Sequence, residues 1–180
     1  MEELQYPIGR FQPQPDYTAE EVNFLIGFLE EAPAKFERNL VNIPEADLEK
    51  TYRPGSWTVR QLVHHVADIH LLNFLRLKKA LTEEAYEYTL IRMDDWAQTP
   101  DATQTPIPAS LAMLTSINQR YVYLLKSLDA DTLAKTFYHP ARKINLSLKQ
   151  FLYMSTWHIA HHQAHIALAL GLPPLPFGLS

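Results

Sequence analysis

Apolar residues recur with a helical period in four long stretches of the chain. The first stretch follows Thr18, a residue suited to cap a helix, and continues through Leu40. Pro33 lies inside it and is expected to end or kink the helix. The second stretch follows Thr58, which opens a capping-box pattern, and it ends near Leu81. Both patterns predict amphipathic helices with one apolar face.

The third and fourth apolar stretches complete the pattern. The third begins at Pro108, a residue tolerated at a first helical position, and runs to Leu128. The fourth follows Ser147 as a cap and stops at Gly171. Because no stretch alternates convincingly, the four helices predict an all-α four-helix bundle. Only the segment 136–140, after a short helical piece at 129–135, has a pattern that an extended strand could adopt.

Prolines mark the segments between the helices. They keep residues 1–17 extended or irregular and give residues 171–180 the composition of a proline-rich tail. The connection at 82–106, between the second and third helices, is too long for a tight turn, and a long connection of that kind often covers a site. We expect residues 1–180 to form one domain of this bundle type.

Composition narrows the possible partners and chemistry. The 180 residues are 47% hydrophobic and 20% charged, with 16 basic and 20 acidic side chains and a net charge of -4. This balance favours neither nucleic acid nor an anionic membrane as a partner. The amino terminus lacks a signal-peptide pattern, which predicts a cytoplasmic protein. Without cysteine, a metal would have to be held by histidine, carboxylate or water.

Histidine is concentrated in the fourth helix. Four of the eight histidines lie within residues 158–165. His158 and His162 are one helical turn apart and point the same way, so both imidazoles could bind one cation. Helical phase places His158, His162 and His165 in one wedge on the flank of the apolar stripe, with His161 further round. The alternative is a polar helix edge whose histidines are exposed.

The second helix can supply a third ligand, and its periodicity leaves the choice open. His65 and His70 lie on either side of the apolar stripe, whereas His64 points away and is the poorest candidate. Either could instead be a core-edge histidine bonded to a neighbouring group. Asp68 lies one turn after His65 and could orient its ring or accept a proton, or could be a solvated helix aspartate.

Sequence motifs connect the chain with a known family. The segments Trp57–Asp68 and Trp157–Ile166 resemble the DinB superfamily, specifically its YfiT-like branch, as do Tyr6–Phe11 and Phe137–Pro140. The resemblance implies a four-helix bundle in which three histidines hold nickel or zinc. One of them lies eight residues after the tryptophan of a Trp-Ser/Thr motif, and two lie four apart on the last helix. The implied metal ligands are therefore His65, His158 and His162.

The same resemblance implies two kinds of reaction on a small electrophilic substrate. The family includes metal-dependent hydrolases and low-molecular-weight thiol S-transferases that use bacillithiol or mycothiol, because a metal site of this kind can activate either a bound water or a thiol. Asp68, His161 and His165 are candidates for a base or for groups that support the ligands. The YfiT-like branch is also dimeric, and the apolar residues Tyr121, Tyr123 and Leu125 predict a homodimer.

The chain departs from the family pattern in the 82–106 connection. It carries Asp94 and Trp96 where relatives have a longer linker with a tyrosine-aspartate pair. These residues could line a substrate pocket or simply anchor the linker. The alternative to an enzyme is a non-catalytic metal-binding protein or a stress-response scaffold.

Overall fold

Four long helices dominate the computed structural model, which describes residues 2–84, 86–173 and 177–178. They are α2 (Ala19–Leu40), α4 (Val59–Thr82), α7 (Pro108–Lys126) and α9 (Leu148–Leu170). Helices α2 and α4 each pack against both α7 and α9. Going around the bundle, the order is therefore α2, α7, α4, α9. The predicted four-helix bundle is confirmed, and α2 and α4 lie diagonally opposite each other although they are consecutive long helices.

Local sequence explains where the long helices begin and end. Thr18, Thr58 and Ser147 each form the reciprocal capping box, in which the cap side chain and the third helical residue satisfy each other's backbone N–H groups. Gly171 adopts a left-handed conformation with φ 66°, which closes α9. Pro33 lies inside α2 without ending it. Helix α7 ends at Lys126, two residues before the predicted limit.

Short elements occupy segments that the sequence predicts to be irregular. Residues 1–17 contain α1 (Glu2–Gln5), a correction to the expected extended segment. Two further short helices follow α2 and α7: α3 (Glu45–Leu48) and α8 (Ala130–Leu133). The connection at 82–106 contains α5 (Met93–Trp96) and α6 (Pro100–Gln104). In the proline-rich tail, Pro174 and Pro176 lie outside the described residues.

A β-hairpin precedes α9. Strands β1 (Thr136–His139) and β2 (Ile144–Ser147) pair antiparallel, with Phe137 opposite Leu146. These two residues point into the core, while Tyr138 and Asn145 on the other face are exposed. The hairpin is a small addition to the confirmed helical bundle. Within the segment 136–140, residues 136–139 form the strand that the pattern allows, and Pro140 lies in the turn.

The core lies between the four long helices. It contains two of the three residues that the sequence suggests for a dimer surface. Tyr121 and Leu125 on α7 are buried against the other helices, whereas Tyr123 is 79% exposed. Of the three residues proposed for self-association, only Tyr123 is available. The homodimer stays a prediction. Among the described residues, no helix combines the length and the apolar character that crossing a bilayer requires.

Candidate metal centre

Three histidines from two neighbouring helices meet inside the bundle. His65 comes from α4, and His158 and His162 come from successive turns of α9. One nitrogen from each ring lies within 4.8 Å of the others, and Nε2 of His65 is 3.1 Å from Nε2 of His158. Two nitrogens that share a zinc ion in tetrahedral geometry would lie about 3.4 Å apart. The spacing of these donors therefore suits one divalent ion.

The other two histidines of α4 are committed to structural hydrogen bonds. His70 Nε2 lies 2.7 Å from Oδ1 of Asn118, whose amide donates to a backbone carbonyl of α2, so His70 is the donor. His64 donates to the carbonyl of Thr105 at 3.1 Å, and its other nitrogen accepts from Ser110 at 2.7 Å. Between His65 and His70, which the periodicity leaves undecided, the structure brings only His65 to α9's histidines.

Burial keeps the three clustered rings neutral. Removal from water lowers the pKa of His65 to about 4. The pKa values of His158 and His162 fall well below the ordinary value, first because of burial and then because each ring faces other histidines. Near neutral pH each ring therefore keeps one nitrogen lone pair available. Neutral imidazole is the form that binds a transition-metal ion.

A short hydrogen-bond chain sets which nitrogen of His162 carries its proton. The carbonyl of Gln5 can only accept, so Nε2–H of His165 donates to it at 3.2 Å. Nδ1 of neutral His165 must then accept, and the group 3.3 Å away is Nδ1–H of His162. Nε2 of His162 is left with its lone pair free. Backbone and side-chain partners of this kind fix the tautomer and orientation of a metal-binding histidine.

His161, His162 and His165 form a second group whose nitrogens are mutually close. All three come from α9, and the ring nitrogens that face each other in His162 and His165 already share a hydrogen bond. His165 also stacks on Tyr52, with ring centroids 3.8 Å apart and planes 12° apart. These contacts give His165 a supporting role beside His162. The His65 group draws its donors from two helices and is the better candidate centre.

His161 has a ring nitrogen without a protein partner. Its ring stacks on Trp157 at 4.4 Å, and among the described residues no hydrogen-bond partner reaches its buried Nδ1. Burial lowers its pKa to about 3, so the ring is neutral at physiological pH. His161 lines the same cavity as the three clustered histidines. The ring of His161 therefore forms part of the cavity wall, while its Nδ1 stays buried.

Asp68, the predicted carboxylate candidate, lies away from the cluster. Burial and the neighbouring charge of Asp101 raise its pKa to about 6. Asp101 belongs to α6, and Asp68 is not among the residues that line the histidine cavity. The structure therefore places Asp68 outside the wall of the histidine cavity, and a role for it as a base stays a prediction.

A cavity of about 700 Å³ opens over the histidines. The 82–106 connection forms part of its wall through Leu90, Ile91, Met93 and Asp94, whereas Trp96 lies outside it and is exposed. Trp57 packs on the ring of His65 at 4.6 Å and limits access of water on that side. The volume lies within the range of small-molecule sites. The connection thus covers the centre, with Asp94 but not Trp96 at its wall.

Known proteins are similar to this chain in both sequence and fold. The DinB superfamily matches residues 29–166. A relative from Bacillus pumilus named "Putative metal-dependent hydrolase" is 41% identical over 92% of this chain and 94% of its own length. A similarly named relative from Bacillus cereus is 39% identical over 92% of this chain and 95% of its own. The chain belongs to the DinB superfamily.

Solved structures of other proteins share this fold. YfiT from Bacillus subtilis, described as a "probable metal-dependent hydrolase with an unusual four-helix bundle topology", superposes with a TM-score of 0.89 at 34% identity. The superposition covers 95% of this chain and 99% of YfiT. A mycothiol-dependent maleylpyruvate isomerase matches with a TM-score of 0.62 at 17% identity, over 84% of this chain and 61% of that one, which shows a shared fold.

Several of the residues that line the cavity lie outside the family motifs. Arg76 and Asn73 follow His65 on the same face of α4, at intervals of eleven and eight residues. Helical phase alone could have found them. Tyr88 comes from the connection, and His139 comes from the hairpin segment Phe137–Pro140 that resembles the family. No local pattern predicts that either segment meets the histidines.

Proposed function

We propose that this DinB-superfamily chain is a divalent-metal-dependent hydrolase of a small molecule, with His65, His158 and His162 as the metal ligands. One observation carries the proposal: three neutral imidazoles from two helices, two buried and that of His158 half-buried, each place one nitrogen within 4.8 Å of the others beside a cavity of about 700 Å³. The proposed ion is nickel or zinc, which nitrogen donors of this kind bind well.

A divalent ion held there would supply positive charge that lowers the pKa of a coordinated water or thiol. The protein side chains perform the remaining tasks. His165 fixes the orientation of His162 through the chain from Gln5. His161 lines the cavity beside the cluster, and its buried Nδ1 has no hydrogen-bond partner among the described residues. Hydrolysis would add water across an ester or amide bond, giving an acid and an alcohol or amine.

A second candidate, thiol S-transfer, is favoured by the lack of a carboxylate base. Among the described residues that line the cavity, Asp94 is the only acid, and it is exposed at the wall. A thiol ionises far more readily than water and needs less help from a base. The chain has no cysteine, so the thiol would come from a co-substrate such as bacillithiol. It would attack a small electrophile and displace a leaving group.

The two reactions and the non-catalytic alternatives can be separated with one set of assays. Tag-free protein loaded with nickel or zinc is tested against esters and amides without thiol, and against electrophiles with bacillithiol. Turnover that disappears in His65→Ala but persists in His64→Ala supports an enzyme, because His64 is the adjacent buried histidine outside the cavity. Stoichiometric metal without turnover in either assay would instead favour metal storage, sensing or a scaffold role.

A further inference from the structure

Two arginines are buried in the described part of the chain, and their partners differ. Arg60 is 4% exposed and forms ion pairs with Glu45 and Glu49. Arg76 is 6% exposed, and no carboxylate pairs with it among the described residues. A buried charge is normally paired, because removing it from water is costly. Within the described part of the chain, Arg76 is therefore a buried cation without a counter-ion.

Arg76 is held in place by neutral groups that leave part of its guanidinium unused. Its Nε–H and one Nη2–H donate to the carbonyl of Thr89, and one Nη1–H donates to Oδ1 of Asn73 at 3.0 Å. The ring of Tyr88 lies 4.2 Å from the guanidinium carbon. Of the five N–H groups, one on each Nη has no partner in this set. These two donors suit the two oxygens of a carboxylate.

His139 adds an uncharged donor beside Arg76. Its Nδ1 accepts the backbone N–H of Arg142 at 3.3 Å, so the proton of the neutral ring is on Nε2. Burial lowers the pKa of His139 to about 4, which keeps the ring neutral near pH 7. The ring lies 4.1 Å from Tyr88, and both residues line the cavity. Arg76 and His139 therefore both contact the ring of Tyr88 at the cavity wall.

The cavity is positive although the whole chain carries a net charge of -4. Its wall includes Arg53, Arg76 and Arg142 against one acid, Asp94. Concave sites with one sign of charge concentrate ligands of the opposite sign. This charge distribution favours an anionic ligand over a neutral or cationic one.

The backbone of Arg76 is well separated from the histidine cluster, and its long side chain spans part of that distance. Arg76 is eleven residues after His65 on α4, about 16 Å along the helix axis between Cα atoms. After burial, the guanidinium charge of Arg76 is one of the causes that lower the pKa of His158. Apolar side chains of Ile69, Met154 and Leu90 line the cavity as well. An anion at Arg76 would therefore be recognised away from the bond that reacts, with an apolar part of the ligand between the two.

We propose that Arg76 and His139 form a subsite for the carboxylate of a small substrate, whose apolar segment separates that carboxylate from the reacting group beside the three histidines. The inference rests on the proposed function only for the claim that the bound carboxylate is a substrate. The claim that a carboxylate binds there rests on Arg76 and His139 alone.

Binding to metal-free protein tests the subsite without catalysis. Isothermal titration compares 4-phenylbutyrate with its neutral amide, which has the same shape. We expect the carboxylate to bind at least about ten-fold more tightly, because it gains hydrogen bonds to a charged group. Arg76→Met should abolish that preference. The matched control is Arg120→Met, since Arg120 also lies over an aromatic ring, Phe74, at 5.1 Å but outside the cavity.

Two further variants keep the test decisive if Arg76→Met does not fold. Arg76→Lys retains the charge but not the paired donors and should weaken the carboxylate several-fold. His139→Phe removes one neutral donor and should weaken it about three- to ten-fold while leaving amide binding unchanged. Equal binding of carboxylate and amide to wild-type protein, or an equal loss in Arg120→Met, would overturn the proposal.

A kinetic comparison links the subsite to substrate selection. For two esters that differ only in a terminal carboxylate or carboxamide on the acyl chain, Arg76→Met should lower kcat/KM about ten-fold or more for the acid alone. Selective carboxylate binding without turnover of any ester or electrophile would contradict the proposed function and leave the subsite standing. Turnover that ignores the carboxylate would overturn the subsite and leave the enzyme standing.

Discussion

His65 and His70 are both buried on α4, yet they meet very different surroundings. Burial lowers the pKa of each ring to about 4. His70 packs edge-on against Tyr121, and its Nε2–H donates a hydrogen bond to Asn118 within the core. The Nε2 of His65 instead lies 3.1 Å from Nε2 of His158, another imidazole nitrogen that can bind a metal ion. Both histidines are therefore buried and have a lowered pKa. The group that each ring faces is what distinguishes the structural histidine, His70, from the candidate ligand, His65.

Replacing one histidine from each region should give the largest contrast. His65→Ala removes one of three proposed ligands, so we expect it to lose stoichiometric metal and all metal-dependent turnover. His70→Ala should keep the metal and lose about 1–3 kcal/mol of unfolding free energy, because Asn118 is left without its donor. Elemental analysis of tag-free protein and urea unfolding measure the two effects. Metal loss in both variants would remove the distinction.

The pH dependence of the unfolding free energy should reveal the titration of His70 in metal-free protein. Its pKa is about 4 when folded and about 6.5 when unfolded, so the unfolded chain binds more protons between these values. Stability should therefore be complete above pH 6.5 and fall by about 3 kcal/mol on this residue's account as pH approaches 4.

His70→Gln, which retains a donor for Asn118, should flatten that part of the profile. Urea unfolding of metal-free protein between pH 4 and 7 provides the measurement. His64→Gln serves as a comparison, because His64 is also buried but has hydrogen bonds to both nitrogens. An unchanged slope in His70→Gln would show that His70 does not titrate as its burial implies.

His165 should affect metal affinity without being a ligand. Its removal breaks the chain that holds the proton of His162 on Nδ1. We expect His165→Ala to bind zinc about 10- to 100-fold more weakly while still taking up one equivalent. Competition with a chelator measures the affinity. An unchanged dissociation constant would show that His162 needs no such support, and a loss of stoichiometry would make His165 a ligand itself.

Asp68 should have the smallest effect on the centre. It lies outside the cavity wall, so Asp68→Asn should leave metal content and turnover nearly unchanged. Because its folded pKa is raised from 3.8 to about 6, the stability that depends on this carboxyl falls between about pH 4 and pH 6 and stays low above pH 6, so the amide should stabilise the protein by up to about 1 kcal/mol at pH 7. Thermal unfolding at pH 5 and pH 7 measures this. A large loss of turnover would restore Asp68 as a catalytic group.

Much of the fold follows from local signals along the chain. The three capping boxes and Gly171 place helix ends to within a few residues, because caps depend on adjacent side chains. The hairpin is harder to predict, since strands of four residues carry almost no periodicity and are stabilised here by contact with the core.

The candidate site depends more on contacts between distant segments. Helical phase brings His158 and His162 together because they share one helix. It cannot choose between His65 and His70, because the choice depends on which neighbouring helix faces each ring. The same limit explains Asp68, whose proximity to Asp101 depends on how the connection folds back over α4. The family resemblance selects the histidine that the structure brings to the cluster.

The most direct test is the position of a bound metal ion in the protein. Crystals of tag-free protein grown with zinc or nickel, and measured at the absorption edge of that metal, locate the ion by its anomalous scattering. The account predicts one peak bonded to nitrogens of His65, His158 and His162, at about 2.0–2.1 Å for zinc. A peak among His161, His162 and His165 instead, or no peak at saturating metal, would contradict it.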